Sequence, residues 1–242
     1  MAGIKNARDF LDELKSLADK EKARDLAAYF QPEANGTLRD ILLGVGMGQV
    51  FSLANDYQGM PLEEIDKLLE SPIREARVGA ASIMDGEARN PNLPKTRRKE
   101  LFELYVRRHE RFNAADIIDR AAPNVVGGYL FNHSRDVLDD LARSEDPWRR
   151  RTAIAATYYF IRQEELDDTF RLAEIMVHDP DEMIQKAVGG FLREAGRENT
   201  QRLLDFLNRH AAEMPREMLK RAVEDLEKEL QDRYLEVNVG KS

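Results

Sequence analysis

Asp116 and Asp119 stand three residues apart in the stretch AADIIDRAAPNVVGGYLF, so a helix there sets both carboxylates on one face. The residues around them are mostly apolar. An acid at such an inward-facing position is either a hydrogen-bonded structural group or a functional carboxylate, and the sequence leaves both readings open. Downstream, Trp148 is followed by Arg149, Arg150 and Arg151 at a helix start, three guanidinium groups fanned about 100° apart. They cannot share one orientation. At least one is expected to face inward, where guanidinium geometry and the positive end of the helix suit a phosphate.

Other candidate chemistries fall away. Gly44-Val45-Gly46-Met47-Gly48 has the look of a phosphate cradle, but Leu38 to Leu43 read as helical and no βαβ unit surrounds it, so a helix-to-helix turn is expected. His109, His133, His178 and His210 lack ligand spacing, and the chain has no cysteine. Disulfides, thiolate zinc sites, iron–sulfur clusters and a cysteine nucleophile are thereby excluded, and no metal or cofactor is expected.

The 242 residues carry a net charge of −8, with 42% hydrophobic and 34% charged residues, the balance of one ordinary globular protein. The first 30 residues are charged every few positions and no apolar run of about 18 residues occurs, so neither a signal peptide nor a membrane span is expected. Cytoplasmic placement is compatible with these features. The charge is unevenly distributed. Pro91 to His133 holds eight basic residues, Lys95, Arg97, Arg98, Lys99, Arg107, Arg108, Arg111 and Arg120, against five acids, a local net of +3 that leaves −11 elsewhere. Such a centre can steer a polyanion to one face, or be no more than a solvated helix face.

The elements that must position these groups are helical. Apolar residues recur at three- and four-residue spacing, as in Phe10, Leu11, Leu14 and Leu17. Ser71-Pro72, Asp146-Pro147, Asp179-Pro180 and Met214-Pro215 each precede a helical pattern, as an N-cap and first turn would. The prolines lie 75, 33 and 35 residues apart, and Asn113, 33 residues before Asp146, fills the missing register, with Asn90 to Pro94 as an insertion. The spacing predicts an all-α solenoid of HEAT-like helix pairs, one domain over 1–242. Its inner helices would be Arg74 to Glu87, Ala114 to Phe131, Pro147 to Arg162 and Asp181 to Arg197, with Arg216 to Leu235 closing the array and the tail EVNVGKS frayed. Small residues at the inner-helix centres, including Gly127-Gly128 and Gly189-Gly190, serve close packing or leave room for a ligand backbone.

The phrases NAADIIDRAAPNVVGGYL, SEDPWRRRTAIAATYYFIR, IQKAVGGFLREAGR and LNRHAAEMPREMLKRAVEDL resemble the HEAT-like-repeat DNA alkylation repair proteins of the AlkD type, and LADKEKARDLAAYF and PLEEIDKLLESPIREAR extend the likeness over nearly the whole chain. The resemblance implies a right-handed solenoid and a monomeric, cofactor-free, metal-free DNA glycosylase acting in the bacterial cytoplasm. Its partner would be double-stranded DNA containing N3- or N7-alkylated purines. Asp119 matches the catalytic aspartate and Arg151 the arginine before Thr-Ala-Ile, with Asp116, Ala115, Trp148, Arg149, Arg150, Lys186, Gly190, Arg193 and Gly46 as the surrounding DNA-binding set.

The departures are specific. Family members commonly carry tryptophan where this chain has Ala115 and Gly190, and a polar residue where it has Gly46. Loss of aromatic stacking, worth about 1 to 3 kcal/mol per base, implies either a wider cleft for bulky adducts or a weakened DNA binder. The first includes self-resistance to a DNA-alkylating natural product. The rival from another class is a non-catalytic DNA-structure or protein-binding scaffold, favoured if Arg97, Arg108 and Arg149 to Arg151 scatter over the outer surface.

Overall fold

The structure is a computed structural model that describes residues 5–29 and 40–237, and among these it is all-helical, with one isolated bridge pairing Ile41 to Ile73. The chain condenses into two compact units, Met1–Ala121 and Ala122–Ser242. Residues 238–242, the end of the tail expected to fray, lie outside the described residues.

Unit one contains α1 (Ala7–Ser16), α2 (Lys20–Tyr29), α3 (Met47–Asp56), α4 (Leu62–Leu69), α5 (Arg74–Ala88), α6 (Lys95–Arg107) and α7 (Ala115–Ala121). One layer is α3, α5 and α7, with α5 in the middle, and α1, α4 and α6 cover it. This explains why α5 is buried from Glu75 to Asp85, nearly all round. The segment before α3, read as helical from the sequence, is extended over its described part. Ile41 N–H donates to Pro72 O at 2.9 Å, and Leu43 and Gly44 N–H both donate to Glu75 Oε1, at 2.9 and 2.8 Å. Gly44 has φ of 75°, and a Cβ there would stand 2.1 Å from Asp19 O, so only glycine fits.

Unit two opens with a widened π turn over Ala122–Gly127, followed by α8 (Gly128–Leu130), α9 (Asp136–Ala142), α10 (Pro147–Ile161), α11 (Asp167–Ile175), α12 (Glu182–Glu198), α13 (Thr200–His210), α14 (Arg216–Ala222) and α15 (Lys228–Val237). The turn, α10, α12 and α14 form one layer, and α9, α11 and α13 the other. Within each unit, successive pairs stack as in an α-solenoid. The expected continuous helix from Ala114 to Phe131 is interrupted by the π turn, because Pro123 lacks an amide hydrogen and its ring clashes with a regular ladder. The expected helix Arg216 to Leu235 is two helices, and Gln231 Nε2 donates to the carbonyls of Glu224 and Leu226 exposed at the break, at 3.1 and 2.7 Å.

Capping side chains, rather than prolines, carry the repeat. Ser71, Ser144 and Asp179 each accept from the amide two residues on, that of Ile73, Asp146 and Asp181, the N-caps of α5, α10 and α12. Six residues after each, Arg77, Arg150 and Gln185 reach back to donate to its carbonyl, at 3.2, 2.9 and 2.9 Å. Pro147 is the first residue of its helix as expected, whereas Pro72 and Pro180 lie just before the cap and Pro215 is itself the cap. The central glycines bring helices together. A Cβ at Gly127 would stand 2.1 Å from Ala156 O, and one at Gly189 2.3 Å from Met218 O.

Candidate functional site

In unit one, α7 turns Ile117, Ile118 and Ala121 into the core. Asp116 and Asp119, expected inward among apolar neighbours, therefore lie on its exposed side, with Ala115 half-exposed at the helix start. Asp116 is pinned: Arg74 Nη2 donates to its Oδ1 at 2.5 Å. Arg74 is itself 3.5 Å from Asp40 Oδ2, and Arg77 Nη2 donates to both oxygens of Asp40 at 2.7 Å. Asp119, one turn beyond Asp116, is exposed. Gly46 is exposed at the N-cap of α3, its amide 3.3 Å from Gln49 Oε1.

In unit two the three arginines separate by role. Arg149 is exposed and Arg151 half-buried. Arg150 is drawn inside: Nε and Nη2 donate to Asp179 at 2.6 and 3.1 Å, and Nη1 donates to Ser144 O and Glu145 O, each at 2.9 Å. Arg150, expected in the DNA-binding set, is engaged as a staple between α10 and the loop before α12. Trp148 is half-buried, its amide capped by Asp146 Oδ1 at 2.9 Å. On α12, Lys186 is exposed and paired with Glu182, and Arg193 is half-buried against Glu224. Gly190 is half-exposed, and a Cβ there would meet nothing within 4 Å.

The sequence reading missed an aromatic group in unit two. Tyr158, Tyr159 and Phe191 are half-buried, Tyr158 and Phe191 have ring centroids 6.2 Å apart, and the Arg162 guanidinium lies 5.5 and 5.6 Å from the two tyrosine centroids. The signal was available, since Tyr158 is seven residues after Arg151 and shares its helix face.

The basic centre is also different from expectation. Arg97 Nε donates to Glu87 at 2.7 Å, Arg108 Nε to Asp66 at 2.7 Å and Arg111 Nη2 to Glu70 at 2.5 Å. The hydrogen bond to Asp66 holds the Arg108 guanidinium above its ordinary pKa. These residues staple neighbouring helix pairs around α4 and α6, so part of the local excess of +3 is spent internally, while Lys95, Lys99 and Arg107 are exposed. Among the described residues no group of His, Asp or Glu could hold a metal ion, and no helix is long and apolar enough to cross a membrane.

Helix pairs stacked within each unit define an all-helical protein of α-solenoid type among the described residues. The model of the DNA alkylation repair enzyme family matches residues 10–226, and the chain belongs to that family. Among solved structures it is similar to a predicted DNA alkylation repair enzyme from Enterococcus faecalis, at 16% identity over 87% of this chain and 97% of the other, with a TM-score of 0.66, a likeness of fold. A search of curated proteins finds no match.

Proposed function

We propose that this protein is an AlkD-type monofunctional DNA glycosylase that hydrolyses the N-glycosidic bond of N3- or N7-alkylated purines in duplex DNA. What supports this reading is the exposure of Asp119 on α7, the residue that the resemblance matches to the catalytic aspartate, in a chain that belongs to the DNA alkylation repair enzyme family.

The alkylated purine carries a positive charge, so the bond to C1′ breaks heterolytically and its electron pair neutralises the departing base. The deoxyribose is left with oxocarbenium character. Asp119 stabilises that growing charge and orients the water that adds at C1′, whose proton passes to the carboxylate and then to solvent. Arg151 anchors a backbone phosphate through charge-assisted hydrogen bonds. The open space at Gly190 and the small Ala115 favour a bulky adduct, which supplies its own stacking surface; self-resistance to a DNA-alkylating natural product is the specific role proposed.

The test is base release from duplexes carrying N7- or N3-alkylpurines. Asp119→Asn should slow excision by about 10²- to 10³-fold, the cost of one electrostatic partner in a reacting centre. Arg151→Ala should lower affinity and reduce the salt slope of binding by about 0.9. Excision by Asp119→Asn at the wild-type rate overturns the assignment. The internal pairing of Arg97, Arg108 and Arg150 removes them from DNA contact without scattering them over an outer surface, and the second reading, a non-catalytic scaffold, predicts no base release by wild type.

A further inference from the structure

The layer of α3, α5 and α7 in unit one holds a half-open cleft of about 240 Å3 that the excision chemistry does not use. Its walls include Phe51 of α3, Gln58 just beyond it, Ser82, Asp85 and Arg89 at the end of α5, and Arg120 of α7. Asp85 is fully buried. Its Oδ2 accepts from Arg89 Nε at 2.8 Å and lies 3.4 Å from Arg120 Nε. One carboxylate thus answers two guanidinium groups, and the lining keeps a net positive charge.

The remaining groups are arranged as donors. Arg120 lies over the Phe51 ring, 4.4 Å from its centroid, which fixes the guanidinium plane. The Arg89 side chain is 53% exposed and engages Asp85 through Nε, so the guanidinium is both anchored and open to solvent. Ser82 is 3% exposed, and its hydroxyl has no hydrogen-bond partner in the structure. A buried hydroxyl in that condition is a group that a ligand would satisfy. At Gly86 a Cβ would stand 2.4 Å from Gln58 Nε2, so the missing side chain lets the Gln58 amide lie across α5 at the cleft wall.

Two guanidinium groups and a hydroxyl around a spent carboxylate suit an oxyanion with several acceptor oxygens, while the Gln58 amide beside them donates to Asn55 Oδ1 at 2.8 Å. The volume exceeds that of a lone phosphate and leaves room for sugar atoms on either side. We propose that this cleft binds a phosphodiester of the duplex backbone, held by Arg89, Arg120 and Ser82. This rests on the DNA-binding part of the reading above and is independent of excision.

The experiment is fluorescence anisotropy of an undamaged short duplex titrated with the full chain at several salt concentrations. Arg89→Gln should weaken binding several-fold at low salt and reduce the slope of log K against log salt by about 0.9. Ser82→Ala removes the unpartnered hydroxyl, so its Tm should equal or exceed wild type while its affinity falls several-fold. Wild-type affinity and slope in both variants overturn the proposal. In a second arm, the arginine Nε–H NMR signals of Arg89 and Arg120 are followed with the duplex and with inorganic phosphate. Shifts with duplex support the assignment; shifts with inorganic phosphate alone overturn it in favour of a free-phosphate site. Because the duplex carries no lesion, absence of base release leaves this result intact, and loss of the Arg89 effect leaves the excision test intact.

Discussion

Replacing Arg150 with alanine separates the three consecutive arginines by role. The Arg150 side chain is 12% exposed and that of Asp179 is 3% exposed, with four hydrogen bonds to the guanidinium between 2.6 and 3.1 Å. Truncation leaves Asp179 buried with only the Asp181 amide and without its countercharge. Removing one partner of a buried pair costs about 3 to 5 kcal/mol. At about 2 to 4 °C per kcal/mol for a chain of this size, Tm should fall by about 6 to 20 °C. Arg149→Ala, at an exposed position, should stay within about 0.5 kcal/mol of wild type. Adding Asp179→Asn to Arg150→Ala should restore part of the loss, since the two groups share one network. Thermal unfolding by circular dichroism reads all of these. An Arg150→Ala variant that melts within about 2 °C of Arg149→Ala refutes the reasoning, and Arg150 returns to the DNA-contacting set.

The remaining predictions concern packing, substrate choice and acid. Gly189→Ala places a methyl against Met218 O and should cost about 1 to 3 kcal/mol, measured by urea unfolding. Gly190→Trp, in open space on the next residue, should keep or raise stability by up to about 1 kcal/mol through helix propensity while favouring release of small methylated bases over bulky adducts in a competition assay. Glu64 is held below the ordinary carboxylate pKa by Lys67 and then by the Ala7 amide, which donates to it at 2.8 Å. Because the folded value is depressed, its contribution is full above the unfolded pKa and disappears as pH falls through the folded one. The acid limb of stability should therefore be shallower in Glu64→Gln, and an unchanged pH profile of Tm below pH 5 would refute this.

Helix pairing was legible because it rests on local signals: apolar spacing, capping residues and small residues in helix centres. The helix boundaries were less so. At Pro72 and Pro180 proline precedes the cap, a two-residue difference that periodicity cannot resolve, and Pro123 is absorbed by widening a turn. The residue types at 116 and 119 were readable, but their exposure depended on Ile117, Ile118 and Ala121 claiming the buried face of α7. The fate of the basic residues was not readable at all, because their partners are distant in sequence, as Glu87 is from Arg97 and Asp66 from Arg108. Nothing local in Trp148-Arg149-Arg150-Arg151 says which guanidinium finds Asp179.

The turn between α5 and α6 is closed from its far side. Arg98 Nη1 donates to Ala88 O at 2.7 Å and Nη2 to Asn90 O at 3.0 Å, while Asn90 Oδ1 accepts from the Asn92 amide at 2.9 Å. The Ala88 carbonyl ending α5 is thus satisfied by a side chain rooted in α6, while Asn90 N–H donates to Glu87 O at 3.0 Å and Leu93 N–H to Asn90 O at 3.1 Å. Lengthening this turn costs little, because loop closure grows only slowly with chain length. A peptide epitope or fluorophore tag spliced between Asn92 and Leu93 would leave both flanking helices seated, making this corner a practical attachment point for immobilising the protein.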